Sequence, residues 1–189
     1  MPEENIITPD ASVAGPAIEA LRFSAHHEEI REMFSSLLAT AMNSEEAEKA
    51  HPSFVEIIKQ LSPDEAIIMS AMRTSGYHAL LSVKSVDLEK GESFIELKRN
   101  FSNIPYLLGC KHPEMSSSYI ENLSRLGLIE INNQTEVVDD YRYENLIYSP
   151  TIQQVVSGID LSERKVEYSK YVSSRTEFGQ KFVSACTTS

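Results

Sequence analysis

The sequence predicts a mainly helical α+β protein, and three observations carry that reading. Apolar residues recur at helical spacing from Ile30 to Ala41 and again from Phe54 to Leu61. Two runs of β-branched and apolar residues flank "EKGE", as the arms of a hairpin would. Ser62, Pro63 and Glu65 together spell a helix start, with a capping serine, a proline at the first helical position and a glutamate three residues on.

The elements follow in order. "MPEENIITPDASVAGP" holds three prolines without periodicity, so residues 1–15 are expected to be an extended lead-in. A short helix is expected from Pro16, and Ser24 is the expected cap of a longer one. On that helix Ile30, Phe34, Leu37, Leu38 and Ala41 share a face. Ser53 or His51 then precedes an apolar run, with Pro52 suited to the first turn of a helix. Further on, "HPEMSSSYIENLSRLGLIEI" reads as a helix with Tyr119, Ile120, Leu123 and Leu126 on one side, ended by Gly127 and followed by a strand. "YRYENLIYSPTIQQVVSGI" is open between helix and loop. "RKVEYSKYVSSR" alternates like a strand, and Thr176 caps a closing helix.

A chain of 189 residues suits one compact domain or two small ones. The net charge of -11 is uneven: Met1 to Met72 holds 4 bases and 13 acids, or 4 - 13 = -9, and the rest holds 13 and 15, or -2. An acidic part over 16–61 and a second part over 62–189 are therefore expected, in a chain short enough for the two to pack as one domain. No apolar run is long enough to span a bilayer, and no signal peptide is visible. Cys110 and Cys186 lack CxxC spacing and suit unbridged thiols in a reducing compartment, so a cytoplasmic protein is expected.

A helix, two strands, a helix ending in "LSRLGLIEI" and a late strand resemble a winged-helix domain, in which such a helix supports a β-wing. That resemblance speaks for architecture and says nothing of ligand. The expected arrangement is thus an N-terminal helical part packed on a winged-helix-like C-terminal part. If that part read DNA, Ser117, Ser118, Asn122 and Arg125 would be the outward polar candidates, with Lys165, Lys170 and Arg175 interleaved with Tyr168 and Tyr171 along a wing. Glu114, Glu121, Glu163 and Glu167 interrupt any basic footprint, which disfavours nucleic acid at physiological salt.

The chemistry-bearing candidates fail on spacing. His26, His27, Glu28 and Glu29 are consecutive, whereas a helical metal pair wants i, i+4. His51, His78 and His112 are scattered and read as structural. Neither a G-x-S-x-G elbow nor a glycine-rich phosphate loop is present. Cys110 and His112 are too close in sequence for triad geometry, and Asp139 and Asp140 beside Tyr141 read as an acidic turn. No catalytic residue, metal or cofactor is expected.

The segments "FSSLLATAMNS", "HPSFVEIIKQLSPDEA" and "LSRLGLIEI", with the closing Thr176 to Cys186, together resemble the bacterial abortive-infection alpha family. The likeness runs over nearly the whole chain, through Leu37 to Met42, His51 to Ala66 and Leu123 to Ile129. It implies an association with phage defence and no active residues. Longer members carry a further N-terminal region, so the resemblance leaves open whether Met1 starts a full-length protein or a fragment.

The expected function is a non-enzymatic, defence-linked protein acting through protein contacts or self-association. Phe34, Leu37 and Leu38, beside Ile6 and Ile7, are the expected partner-binding surface. A winged-helix DNA-binding regulator and an enzyme of unrecognised type are the alternatives. DNA affinity that falls steeply with salt would favour the first of these, and a convergent polar pocket the second.

Overall fold

The computed structural model describes residues 2–24, 26–74, 76–89, 91, 93–135 and 140–187. In chain order its main elements are helices α1 (Ala11–Leu21), α2 (Glu28–Ala41), α3 (Ser53–Ile58) and α4 (Pro63–Ala71), then strands β1 (Tyr77–Asp87) and β2 (Phe94–Phe101). Helices α5 (Ile104–Leu107) and α6 (Ser116–Arg125), strand β3 (Ile129–Asn132), helices α7 (Asp140–Ile147) and α8 (Pro150–Val156), strand β4 (Arg164–Arg175) and helix α9 (Glu177–Cys186) complete it. The class is α+β.

The chain divides into a helical unit, Met1–Thr74 with Thr176–Ser189, and a sheet unit, Ser75–Arg175. The sequence places the boundary at 61/62 instead, because cap signals mark where a helix begins and not what it packs on. Both α4 and α9 group with the first unit.

Within the helical unit, α2 is the central element and packs against α1, α3, α4 and α9. Its Ile30, Met33, Phe34, Leu37 and Ala41 are buried. The lead-in is shorter than expected, since α1 starts at Ala11. Asp10 explains this: its carboxylate accepts from the Ser12 amide at 2.8 Å and the Ser12 hydroxyl at 2.7 Å, capping the first turn. Those two bonds hold the Asp10 carboxyl below its usual range. Pro16 consequently lies inside the helix, not at its start. Ser24 does not cap α2 either. Its hydroxyl donates to the Ala20 carbonyl at 2.9 Å, and extended His27 precedes the helix, with Glu28 and Glu29 meeting the positive end of the dipole.

The start of α4 forms as the sequence reads. Ser62 Oγ accepts from the Glu65 amide at 3.3 Å, and the Glu65 carboxylate accepts from the Ser62 amide at 2.7 Å. Replacing Ser62 by alanine is expected to cost about 1 kcal/mol, and urea unfolding will measure it. A Ser62→Ala midpoint equal to that of the parent would show the cap to be redundant.

The sheet unit holds one antiparallel sheet in the order β2-β1-β4-β3. The hairpin expected at "EKGE" joins β1 and β2, with Gly91 at φ 53°. Lys90 and Glu92 of that turn lie outside the described residues. α6 ends at Gly127, φ 72°, where the Leu128 amide donates to the Leu123 carbonyl at 3.0 Å and the Gly127 amide to the Ser124 carbonyl at 2.9 Å. This double bond pattern with a left-handed glycine is a Schellman ending, and both leucines are buried beside it.

Beyond that point the expectation of a wing meets a different topology. β3 pairs with β4, but α7 and α8 lie between them in sequence, so the two strands are not joined by a hairpin turn. The stretch left open between helix and loop forms these two helices. Ser149 caps α8 through the Ile152 amide at 3.4 Å, with Pro150 in the first turn. Asp140 opens α7, while Asp139 lies outside the described residues. Leu81, Val83, Phe101, Tyr143, Leu146 and Ile152 form a core of this unit. No helix among the described residues is long and apolar enough to cross a membrane.

Candidate functional site

The sequence candidates fall in unlike places. Phe34 and Leu37 are wholly buried and Leu38 is half-buried. The face expected to meet a partner is the inner face of α2, because a helix packed on four others has its apolar stripe enclosed. Ile6 and Ile7 do reach solvent.

On α6, Ser118 and Arg125 are exposed, and Ser117 and Asn122 are half-buried. The Ser117 hydroxyl is enclosed without a hydrogen-bond partner. Arg125 donates twice to Asn122 Oδ1, at 3.0 and 2.7 Å, which engages both polar candidates with each other. Of the basic residues on β4, Lys165 contacts Glu167 at 2.7 Å, and the same carboxylate takes Lys84 at 3.2 Å. These two contacts hold the Glu167 carboxyl below its usual range.

His51 accepts from the Ser53 amide at 3.1 Å through Nδ1 and so steadies the start of α3. Its ring lies 5.8 Å from that of Phe54 and 6.3 Å from that of Phe178. His112 Nδ1 lies 3.4 Å from Glu114. Among the described residues no group of three His, Cys, Asp or Glu could hold a metal ion. Cys110 and Cys186 are both buried and form no disulfide, and burial pushes the Cys186 thiol far up.

The most convergent polar cluster lies on the sheet unit and has no counterpart among the sequence candidates. The register between β1 and β2 shifts twice, between Leu81 and Val83 and between Val83 and Lys84. Such bulges re-aim side chains. Beside them Asn100 adopts φ 49°, the left-handed region that asparagine tolerates better than most residues. Its amide donates to Ser82 Oγ at 3.1 Å and to Tyr171 Oη at 3.2 Å. Tyr171 Oη in turn donates to Asn100 Oδ1 at 2.6 Å and contacts Ser82 Oγ, and Asn100 Nδ2 donates to Glu121 at 3.3 Å.

This cluster floors a hollow of about 460 Å³, with Arg99, Lys170 and Asn133 also in its wall. Burial raises the Tyr171 hydroxyl above its usual range, against the opposing pull of its bonds to Ser82 and Asn100. Tyr171 is therefore a neutral donor at physiological pH and can orient a bound polar group without acting as a base. The separation of Ser82, Asn100 and Tyr171 along the chain hid the cluster from sequence reading. An asparagine inside the strand-like run "ELKRNF" is its one local signal, as such a residue often marks a break in regular pairing.

A solved structure resembles the chain: that of an uncharacterized protein from the hydrocarbon-degrading marine bacterium Alcanivorax borkumensis SK2, at 19% identity and a TM-score of 0.48, covering 71% of this chain and 92% of that one. No curated protein matches the chain. The family described as abortive infection alpha matches it over residues 1–186.

Proposed function

Because the chain belongs to the abortive infection alpha family, we propose that it serves phage defence through contacts with other proteins and not by catalysis. Family membership supplies the association with abortive infection. The contact reading rests on one observation: the first 23 residues turn several large apolar side chains to solvent. Phe23 is 80% exposed, Ile18 57% and Ile6 49%. Single exposed apolar residues are ordinary, but several within one short span favour an interaction surface. The net charge of -9 over Met1 to Met72 steers this surface away from anionic polymers and toward protein.

Aspartate at both Ile18 and Phe23 is expected to leave the unfolding midpoint unchanged and to abolish protection of phage-challenged cells. Sedimentation of parent and variant tests whether the partner is a second copy. Full protection by a folded Ile18→Asp, Phe23→Asp protein would remove the contact reading.

The winged-helix regulator makes the opposite demand on Arg125 and Asn122. Duplex DNA is expected to bind weakly at physiological salt, because the acidic residues on the same elements repel phosphate. Tight binding in a gel shift, lost on replacing Arg125 and Asn122 by alanine, would put the regulator in first place.

A further inference from the structure

Two hollows of about 530 and 350 Å³ adjoin on the sheet unit, sharing Asn103, Leu107 and Asn145 in their walls. The larger is apolar and aromatic. Phe101 lines it in the core, Tyr106 and Phe101 meet ring to ring at 6.3 Å, and Leu107 and Tyr148 stand 75% and 73% exposed at its rim.

The smaller hollow has another character. His78 and Arg142 line it, and among the described residues in either wall none is an aspartate or glutamate, in a chain of net charge -11. Burial first, then the positive charges of Arg142 and Arg175, push His78 down to about 4, so its ring is neutral at physiological pH. His78 Nε2 and Arg175 Nε are both enclosed with no hydrogen-bond partner. Buried polar groups are rarely left so, and of the two His78 stands in the wall of this cleft.

We propose that this cleft binds a small molecule of mononucleotide size, a planar ring joined by a short spacer to a phosphate or carboxylate. The ring lies against Tyr106 and Tyr148, and the anionic group takes Arg142 and the His78 ring. Arg142 and Tyr148 are six residues apart on and just beyond α7, about 9 Å along its axis at helical rise. Small-molecule sites of this kind are mostly apolar, with a few polar groups that fix orientation. Guanidinium is well suited to the anionic end. This site lies on the sheet unit and shares no residue with the span from Ile6 to Phe23, so failure of either reading leaves the other intact.

The probe is adenosine 5′-monophosphate, titrated into the whole chain while the His78 ring and Asn145 amide signals are followed by NMR. Saturable shifts at both are expected at millimolar probe or below. Adenosine, which lacks the anion, and inorganic phosphate, which lacks the ring, are each expected to bind at least about tenfold more weakly. Arg142→Gln and Tyr148→Ala, both at exposed positions, should keep the parent fold and weaken binding by a similar factor. No shift at His78, equal affinity for inorganic phosphate, or unchanged affinity in both variants would overturn the proposal. So would tighter binding of a short single-stranded oligonucleotide, which would assign the cleft to nucleic acid.

Discussion

Alanine at Phe54 is expected to cost the helical unit about 3–5 kcal/mol, the range for deleting a large buried aromatic side chain. Phe54 is 1% exposed, and its ring lies 5.4 Å from that of Phe178 and 5.3 Å from that of Phe182, the latter edge-on at 90°. Such pairs add stability beyond the area they bury. The side chain also joins α3 to α9, two helices more than a hundred residues apart in sequence, so little else is placed to fill the space. Amide exchange read separately in α2 and α9 will measure the loss, since a chain of two units need not unfold in one step. Leucine at the same position should recover part of it. A loss below about 1 kcal/mol would mean that the aromatic cluster is not a keystone of the unit.

That cluster also explains what the family-like segments do. "HPSF" supplies His51 and Phe54, the closing helix supplies Phe178 and Phe182, and the segment "LLATAM" supplies Thr40, whose hydroxyl donates to the Ala185 carbonyl at 3.0 Å. Three stretches separated along the chain meet in one helical unit. Their residue types serve packing and capping, which is why they were distinctive in sequence and silent about chemistry.

Local signals were legible and non-local ones were not. The Ser62 box, the Gly127 ending and the Thr176 cap each depend on residues within one turn, and each forms as read. The unit boundary, the enclosure of Phe34 and Leu37 and the partner of β3 depend on which elements meet, and periodicity carries no information on that. The same limit applies to the sites. Asn100 and Tyr171 are 71 positions apart, and His78 and Arg142 are 64 apart (142 - 78), so neither pair leaves a spacing motif. Where helices are short, even the local reading weakens. α7 and α8 offer only two turns or so of pattern, with an intervening Ser-Pro that reads equally well as a loop.

The core residue hidden in that ambiguous stretch gives the second large effect. Tyr143→Ala is expected to destabilise the sheet unit by about 3–5 kcal/mol. Tyr143 is fully buried among Leu81, Val83, Phe101, Leu146 and Ile152, and Lys170 Nζ sits 5.4 Å from its ring centre. Its hydroxyl donates to the Tyr171 carbonyl at 2.9 Å, tying α7 to the strand that carries the polar cluster. Phenylalanine separates the two contributions: Tyr143→Phe keeps the ring and should cost only about 1–2 kcal/mol, the range for a lost buried hydrogen bond. Amide exchange along β1 and β4 reads both variants. The order matters more than the values. Equal losses for alanine and phenylalanine would place the weight on the hydroxyl and its hold on Tyr171, and a negligible loss for alanine would mean that α7 is not anchored through this residue.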